Sequence, residues 1–297
     1  MPQSFPGYPD TRHWFDRGGG IRMHYLDEGP RDAEPVLMVH GNPSWSYYWR
    51  RLVAALAPRY RCIVPDHVGM GLSDKPGDAN YRYTLQSRID DLAALMDHLG
   101  VRERVTLAVH DWGGTIGMGW ALRQPQAVRR LLLLNTALFP LPPGKAVPWQ
   151  LKLVRDTRLG ALLVRGVNAF SSGASRFGVS RPMDPAERRA LVAPYGSWHD
   201  RIATLRFVQD IPLSPADPAH ALVAEVGERL PEFADRPVLA CWGLRDFVFD
   251  RAYLDGVRQR LPAAEVHAFE DAGHYVLEDA HERILPLVDD FLARNPA

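Results

Sequence analysis

Six short apolar runs constrain this chain most: Val36 to Val39, Arg61 to Val64, Val105 to Val109, Arg130 to Leu134, Pro237 to Trp242 and Glu265 to Phe269. Most are continuous rather than alternating. That is the pattern of parallel strands covered on both faces. Helical patterns separate them. In Thr84 to Leu99, for example, Leu85, Ile89, Leu92, Leu95, Met96 and Leu99 recur at three- and four-residue steps before a capping Gly100. Strands alternating with helices predict an α/β fold with a mostly parallel central sheet flanked by helices. At 297 residues the chain can bury a large core.

The alternation fails between Thr136 and Pro212, which opens on Phe139-Pro-Leu-Pro-Pro-Gly144 and then reads as helices and loops. This predicts a helical cap at 136–212, inserted between two strands. Residues 1–135 and 213–297 then form the two parts of the α/β core. Ligands in open α/β sheets bind at the carboxyl ends of the strands, where such a cap would sit. Lys152, Arg155 and Arg158 stand three residues apart there, on an expected helix. That basic face reads first as a solvated cap surface, with an acidic partner or a membrane surface as the alternative.

Lys plus Arg and Asp plus Glu are 35 each, so the charge is balanced and nucleic acid is not an expected partner. Cys62 and Cys241 each lie in a strand-like run and read as buried free thiols. No CxxC or HExxH spacing appears, so neither a metal nor another cofactor is expected. The N-terminal residues do not read as a signal peptide, and no run is long enough to span a membrane. A soluble cytoplasmic protein is the expectation.

Three loops, each after a strand, carry the chemistry. In Val105-Thr-Leu-Ala-Val-His-Asp-Trp-Gly-Gly114 an apolar run breaks at Asp111, and two glycines precede a helix. A carboxylate on such a sharp turn suggests a nucleophile that attacks carbon and carries product as an ester. The usual glycine on the strand side is replaced by Val109. The Trp112 amide would bind developing negative charge. The second loop, His40-Gly-Asn-Pro43, offers the Asn42 amide, and the Asn42 side chain could donate to an anionic leaving group. The third region supplies Asp246 after one strand and His274 after the next. Asp111, Asp246 and His274 keep the order nucleophile, acid, histidine. His274 would serve as base and Asp246 would orient it. His110 points the other way along its strand and reads as structural. Asp66 and Gly69 to Asp74 read as fixing loop geometry.

The stretches His40 to Arg50, Asp66 to Pro76 and His110 to Gly114 resemble the haloalkane dehalogenases of the α/β-hydrolase superfamily. Asn42 and Trp112 match that family's halide-holding positions. A fuller resemblance covers nearly the whole chain. Tyr25 to Pro30, Pro65 to Gly71, Asn168 to Ser175, Gln209 to Asp217, Gly243 to Asp250 and His267 to Asp279 are similar to the β-lactone decarboxylases of bacterial long-chain olefin biosynthesis. This implies decarboxylation of cis-3,4-dialkyl β-lactones to cis-alkenes. It leaves open whether Asp111 attacks the alkyl carbon or the carbonyl. Asn42 and Trp112 would hold the freed carboxylate. The resemblance also implies assembly with the other olefin-pathway enzymes and a position near a membrane. Haloalkane dehalogenation is the alternative. Epoxide hydrolysis fits less well, because Tyr195 is the sole tyrosine between Thr136 and Pro212 and that reaction usually uses two.

Overall fold

The computed structural model describes residues 4–296. Its strands are β1 (His13–Gly18), β2 (Ile21–Glu28), β3 (Pro35–Val39), β4 (Arg61–Pro65), β5 (Val105–Asp111), β6 (Val128–Thr136), β7 (Val238–Gly243) and β8 (Glu265–Phe269). They form one sheet in the order β1-β2-β4-β3-β5-β6-β7-β8. From β4 to β8 every pairing is parallel. The six apolar runs are β3 to β8, and their inner residues Val36 to Val39, Leu107 to Val109 and Leu131 to Leu134 are fully buried.

Two strands fall outside the apolar-run reading. β1 and β2 form an antiparallel pair, and β2 adds antiparallel to β4. The edge strand β1, His-Trp-Phe-Asp-Arg-Gly, alternates half-buried with exposed positions, so it has no continuous apolar run to detect.

Three helices precede β6: α1 (Arg50–Leu56), α2 (Leu85–His98) and α3 (Gly113–Ala121). The helix expected at Thr84 to Leu99 is α2, where the Thr84 side chain caps the start by accepting from the Ser87 amide. Between β6 and β7 lie α4 (Trp149–Asp156), α5 (Arg158–Val167), α6 (Ala169–Phe177), α7 (Pro185–Val192), α8 (Ile202–Gln209) and α9 (His220–Arg229). We call α4 to α8 the cap. The core closes with α10 (Arg251–Arg260) and α11 (Val276–Arg294), the latter kinked at Ala280. Lys152, Arg155 and Arg158 do not share one helix as the sequence suggested. Thr157 ends α4 in extended backbone and caps α5 through the Gly160 amide, so Arg158 opens a new helix.

One nearly buried and one half-buried ion pair fasten the cap to the core. The Arg88 guanidinium on α2 donates to Asp210 at the end of α8 at 3.0 Å and lies 3.6 Å above the Phe207 ring. Arg51 on α1 holds Glu187 on α7 through two 2.8 Å bonds. Both cysteines are buried and free.

Asp66, as expected, organises a loop. Its carboxylate accepts from the Ser46 amide at 2.7 Å, the Leu72 amide at 2.9 Å and His24 Nδ1 at 2.9 Å. Burial alone would push this carboxyl up, but the His24 bond and the other donors outweigh it and bring it down to about 2. Its stabilisation is therefore complete above the ordinary value of 3.8 and is lost as pH falls through about 2. Asp66→Ala leaves buried donors without an acceptor and should cost about 3–5 kcal/mol. Urea unfolding at neutral pH measures this; a loss under about 1 kcal/mol would contradict it.

Candidate active site

β5 ends at Asp111 in a left-handed conformation, φ +54°. A non-glycine residue held there costs on the order of 1–3 kcal/mol, and the surrounding packing must enforce it. The turn lies against the end of β3, so a side chain at Gly113 would overlap the Val39 carbonyl. The strand-side glycine absent from the sequence has a counterpart on the helix. An added Cβ at Gly117 would meet Val109 Cγ1 at 2.9 Å. Close strand–helix packing requires one small partner at this crossing, and here the helix supplies it.

The five sequence-nominated residues converge. Asp111 Oδ1 accepts the Asn42 amide at 2.6 Å, and the Trp112 amide also donates to this carboxylate. The two backbone donors expected for developing negative charge thus grip Asp111 itself. Oδ2 is turned toward His274, whose Nε2 is 3.7 Å away. That gap exceeds a direct hydrogen bond and leaves room for a reacting atom. His274 Nδ1 is 2.9 Å from Asp246 Oδ2. Asn42 Nδ2 donates one bond to the Thr204 carbonyl on α8 at 3.1 Å, which ties the anion-binding candidate to the cap. Asn42 and Trp112 both line the cavity that reaches Asp111.

Burial raises the Asp111 carboxyl above its ordinary value of 3.8, against the opposing pull of His274 and the two amides. Burial would by itself lower the His274 imidazole. The Asp246 carboxylate bonded to it, with Asp111 facing it, more than compensates and raises it above 6.5.

Asn135 was not nominated from the sequence, yet it holds Asp246. It sits at the end of β6 with φ +29°, donates to Asp246 Oδ2 at 3.0 Å and accepts the Gly243 amide at 2.7 Å. The available signal was slight: one polar residue ending the apolar run of the strand beside the elbow. His110 is structural, as expected. Its Nε2–H donates to the His274 carbonyl at 2.9 Å, and its ring stacks on Tyr48 with centroids 4.2 Å apart. It fixes the loop from which the His274 imidazole projects.

The cavity above Asp111 has a volume of about 620 Å³. Its floor holds Asn42, Asp111, Trp112 and His274, while α4, α5 and α6 supply apolar walls such as Leu151, Val154, Leu163 and Phe170. Gly173 on α6 faces this space, and an added Cβ there would meet nothing within 4 Å. Polar groups at one end and hydrocarbon walls elsewhere suit a small polar head carrying alkyl chains.

Residues 34–281 match the family model described as alpha/beta hydrolase fold. A Xanthomonas campestris pv. campestris protein named cis-3-alkyl-4-alkyloxetan-2-one decarboxylase is 59% identical over 298 residues, covering 99% of each chain. A protein of the same name from Shewanella oneidensis is 55% identical, covering 97% of this chain and 90% of its own. Among solved structures, a loop variant of haloalkane dehalogenase DbeA from Bradyrhizobium elkanii superposes with a TM-score of 0.85 at 28% identity, covering 96% of each chain. The parallel sheet, the elbow at Asp111 and this near full-length identity make the chain a member of the α/β-hydrolase-fold family, in the group of the cis-3-alkyl-4-alkyloxetan-2-one decarboxylases.

Proposed function

We propose that this chain converts cis-3,4-dialkyl β-lactones to cis-alkenes and carbon dioxide as a step of olefin biosynthesis, with Asp111 as nucleophile. The observation that carries the reading is the 59% identity to the Xanthomonas decarboxylase along the whole chain, cap included. Catalytic loops alone would not separate this reaction from dehalogenation.

The geometry supports a two-step course. Asp111 Oδ2, the oxygen turned toward His274, attacks the ring carbon that bears the lactone oxygen. That C–O bond breaks, ring strain is released, and a carboxylate forms within reach of Asn42 and Trp112. The carbon–carbon bond to this carboxylate then breaks. Its electron pair becomes the alkene, carbon dioxide leaves, and the Asp111–carbon bond returns its pair to Asp111. No proton or water is consumed. Backside attack places the Asp111 oxygen opposite the carboxylate across the carbon–carbon bond. Anti fragmentation from there keeps the two alkyl groups on one side and gives the cis product.

A second reading, haloalkane dehalogenation, is favoured by the His274–Asp246 pair, since hydrolysis of an Asp111 ester needs a base. The test supplies a cis-dialkyl β-lactone and a bromoalkane separately. Alkene and carbon dioxide from the first, with little bromide from the second, are expected. Rapid bromide release without any alkene would reverse the assignment.

A further inference from the structure

The cavity opens through a ring of apolar side chains that are not covered. Phe177 on α6 is 76% exposed, Trp149 on α4 is 69% exposed and Phe247, after β7, is 52% exposed, and all three also line the cavity. Residues that both line a cavity and face solvent mark its mouth. Beside them α5 packs against both α4 and α6 and leaves Leu159 57% and Leu162 55% exposed. Large apolar side chains gathered in this way mark an interaction surface.

The charge of this segment identifies the partner. Between residues 144 and 182 there are seven Lys or Arg and one acid, Asp156, a surplus of six in a chain whose overall balance is zero. Some of these cations are internally satisfied. Arg155 pairs with Asp156 and Asp217, Arg181 with Asp271 and Lys145 with Asp250. Lys152 on α4, Arg158 on α5 and Arg176 on α6 are exposed and have no ion pair among the described residues. Exposed aromatic and aliphatic side chains beside unpaired cations, on short amphipathic helices, suit the boundary between anionic headgroups and acyl chains.

We propose that the cap helices α4 to α6 seat this protein on an anionic lipid surface, with the cavity mouth facing the bilayer. Apolar substrate would then enter from the acyl region without crossing water, and an apolar alkene would return to it. The described residues contain no helix long and apolar enough to cross a membrane, so the attachment is peripheral. The benefit to substrate transfer rests on the lactone reading, whereas docking itself does not.

The test is co-sedimentation of the full chain with vesicles of pure phosphatidylcholine, and with vesicles of phosphatidylcholine and phosphatidylglycerol in equal parts. Binding should require phosphatidylglycerol and weaken as salt is raised. Each of Lys152→Gln, Arg158→Gln and Arg176→Gln should weaken it about fivefold, and the three together over a hundredfold. The triple variant should keep the wild-type melting temperature and its turnover of a short-chain, water-soluble lactone. Leu159→Ser with Leu162→Ser should also weaken vesicle binding. Equal binding to both vesicle types, binding to neither, or full retention by the triple variant would overturn the proposal and leave the surface to a protein partner. Salt-sensitive binding to the mixed vesicles with no alkene formed from any lactone would uphold docking and remove only the substrate reading.

Discussion

Asparagine in place of Asp111 is expected to lower alkene formation from a cis-dialkyl β-lactone by about ten-thousandfold or more, measured as product per active site. The amide has nearly the shape of the carboxylate and can still accept the Asn42 amide bond, now 2.6 Å long. It has no anionic oxygen to open the ring. Folding should respond in the opposite direction. Burial raises the Asp111 carboxyl from 3.8, so the ionised group destabilises the native state at neutral pH. The variant should therefore melt at the same temperature as wild type or higher. That advantage should disappear below pH 3.8, where the carboxyl is protonated in both folded and unfolded chains. Alkene formation within tenfold of wild type would remove Asp111 from the reaction.

Removing the imidazole should separate the two candidate chemistries. An Asp111 alkyl ester formed from a bromoalkane needs water, and His274 Nε2, 3.7 Å from Asp111 Oδ2, is placed to take its proton. In His274→Ala any such reaction should stop after about one bromide per site, with steady turnover down on the order of 10³-fold. Fragmentation of the lactone-derived ester transfers no proton, so alkene formation should fall by no more than about tenfold. The pH profiles of wild type should differ in the same sense. Asp246 raises His274 above 6.5, and only the neutral ring accepts a proton, so ester hydrolysis should rise as pH passes through that raised value. Alkene formation needs only ionised Asp111. Its acid limb should lie lower, in the carboxylate range above 3.8. Loss of alkene formation equal to loss of hydrolysis in His274→Ala, with coincident profiles, would place the imidazole in the lactone reaction.

Much of this is legible in the sequence. β3 to β7 are almost wholly buried on both faces, so their composition is mainly apolar and their spacing alone reveals parallel strands, whereas β8 at the sheet edge is only half-buried. Asp111 ends β5, Asp246 and His274 lie in the loops after β7 and β8, and strand ends in a parallel sheet lie along one edge. Asn42 and Trp112 follow by the same logic. β1 and β2 were not legible because their faces are mixed. Asn135 was missed because holding Asp246 from a neighbouring strand leaves no local pattern.

The sequence by itself determined the α/β class, the order of the catalytic loops and the choice of an aspartate at the elbow. All three rest on local periodicity and on residues adjacent to strand ends. Tertiary structure decided what adjacency cannot. It showed that the Asn42 amide grips Oδ1 of Asp111 while Oδ2 is turned toward His274, because β3 and β5 are neighbours in the sheet. It divided the basic run at Thr157 and left three cations unpaired among exposed apolar side chains. Exposure and pairing depend on which helices meet across the cap, and those meetings join residues far apart in the chain.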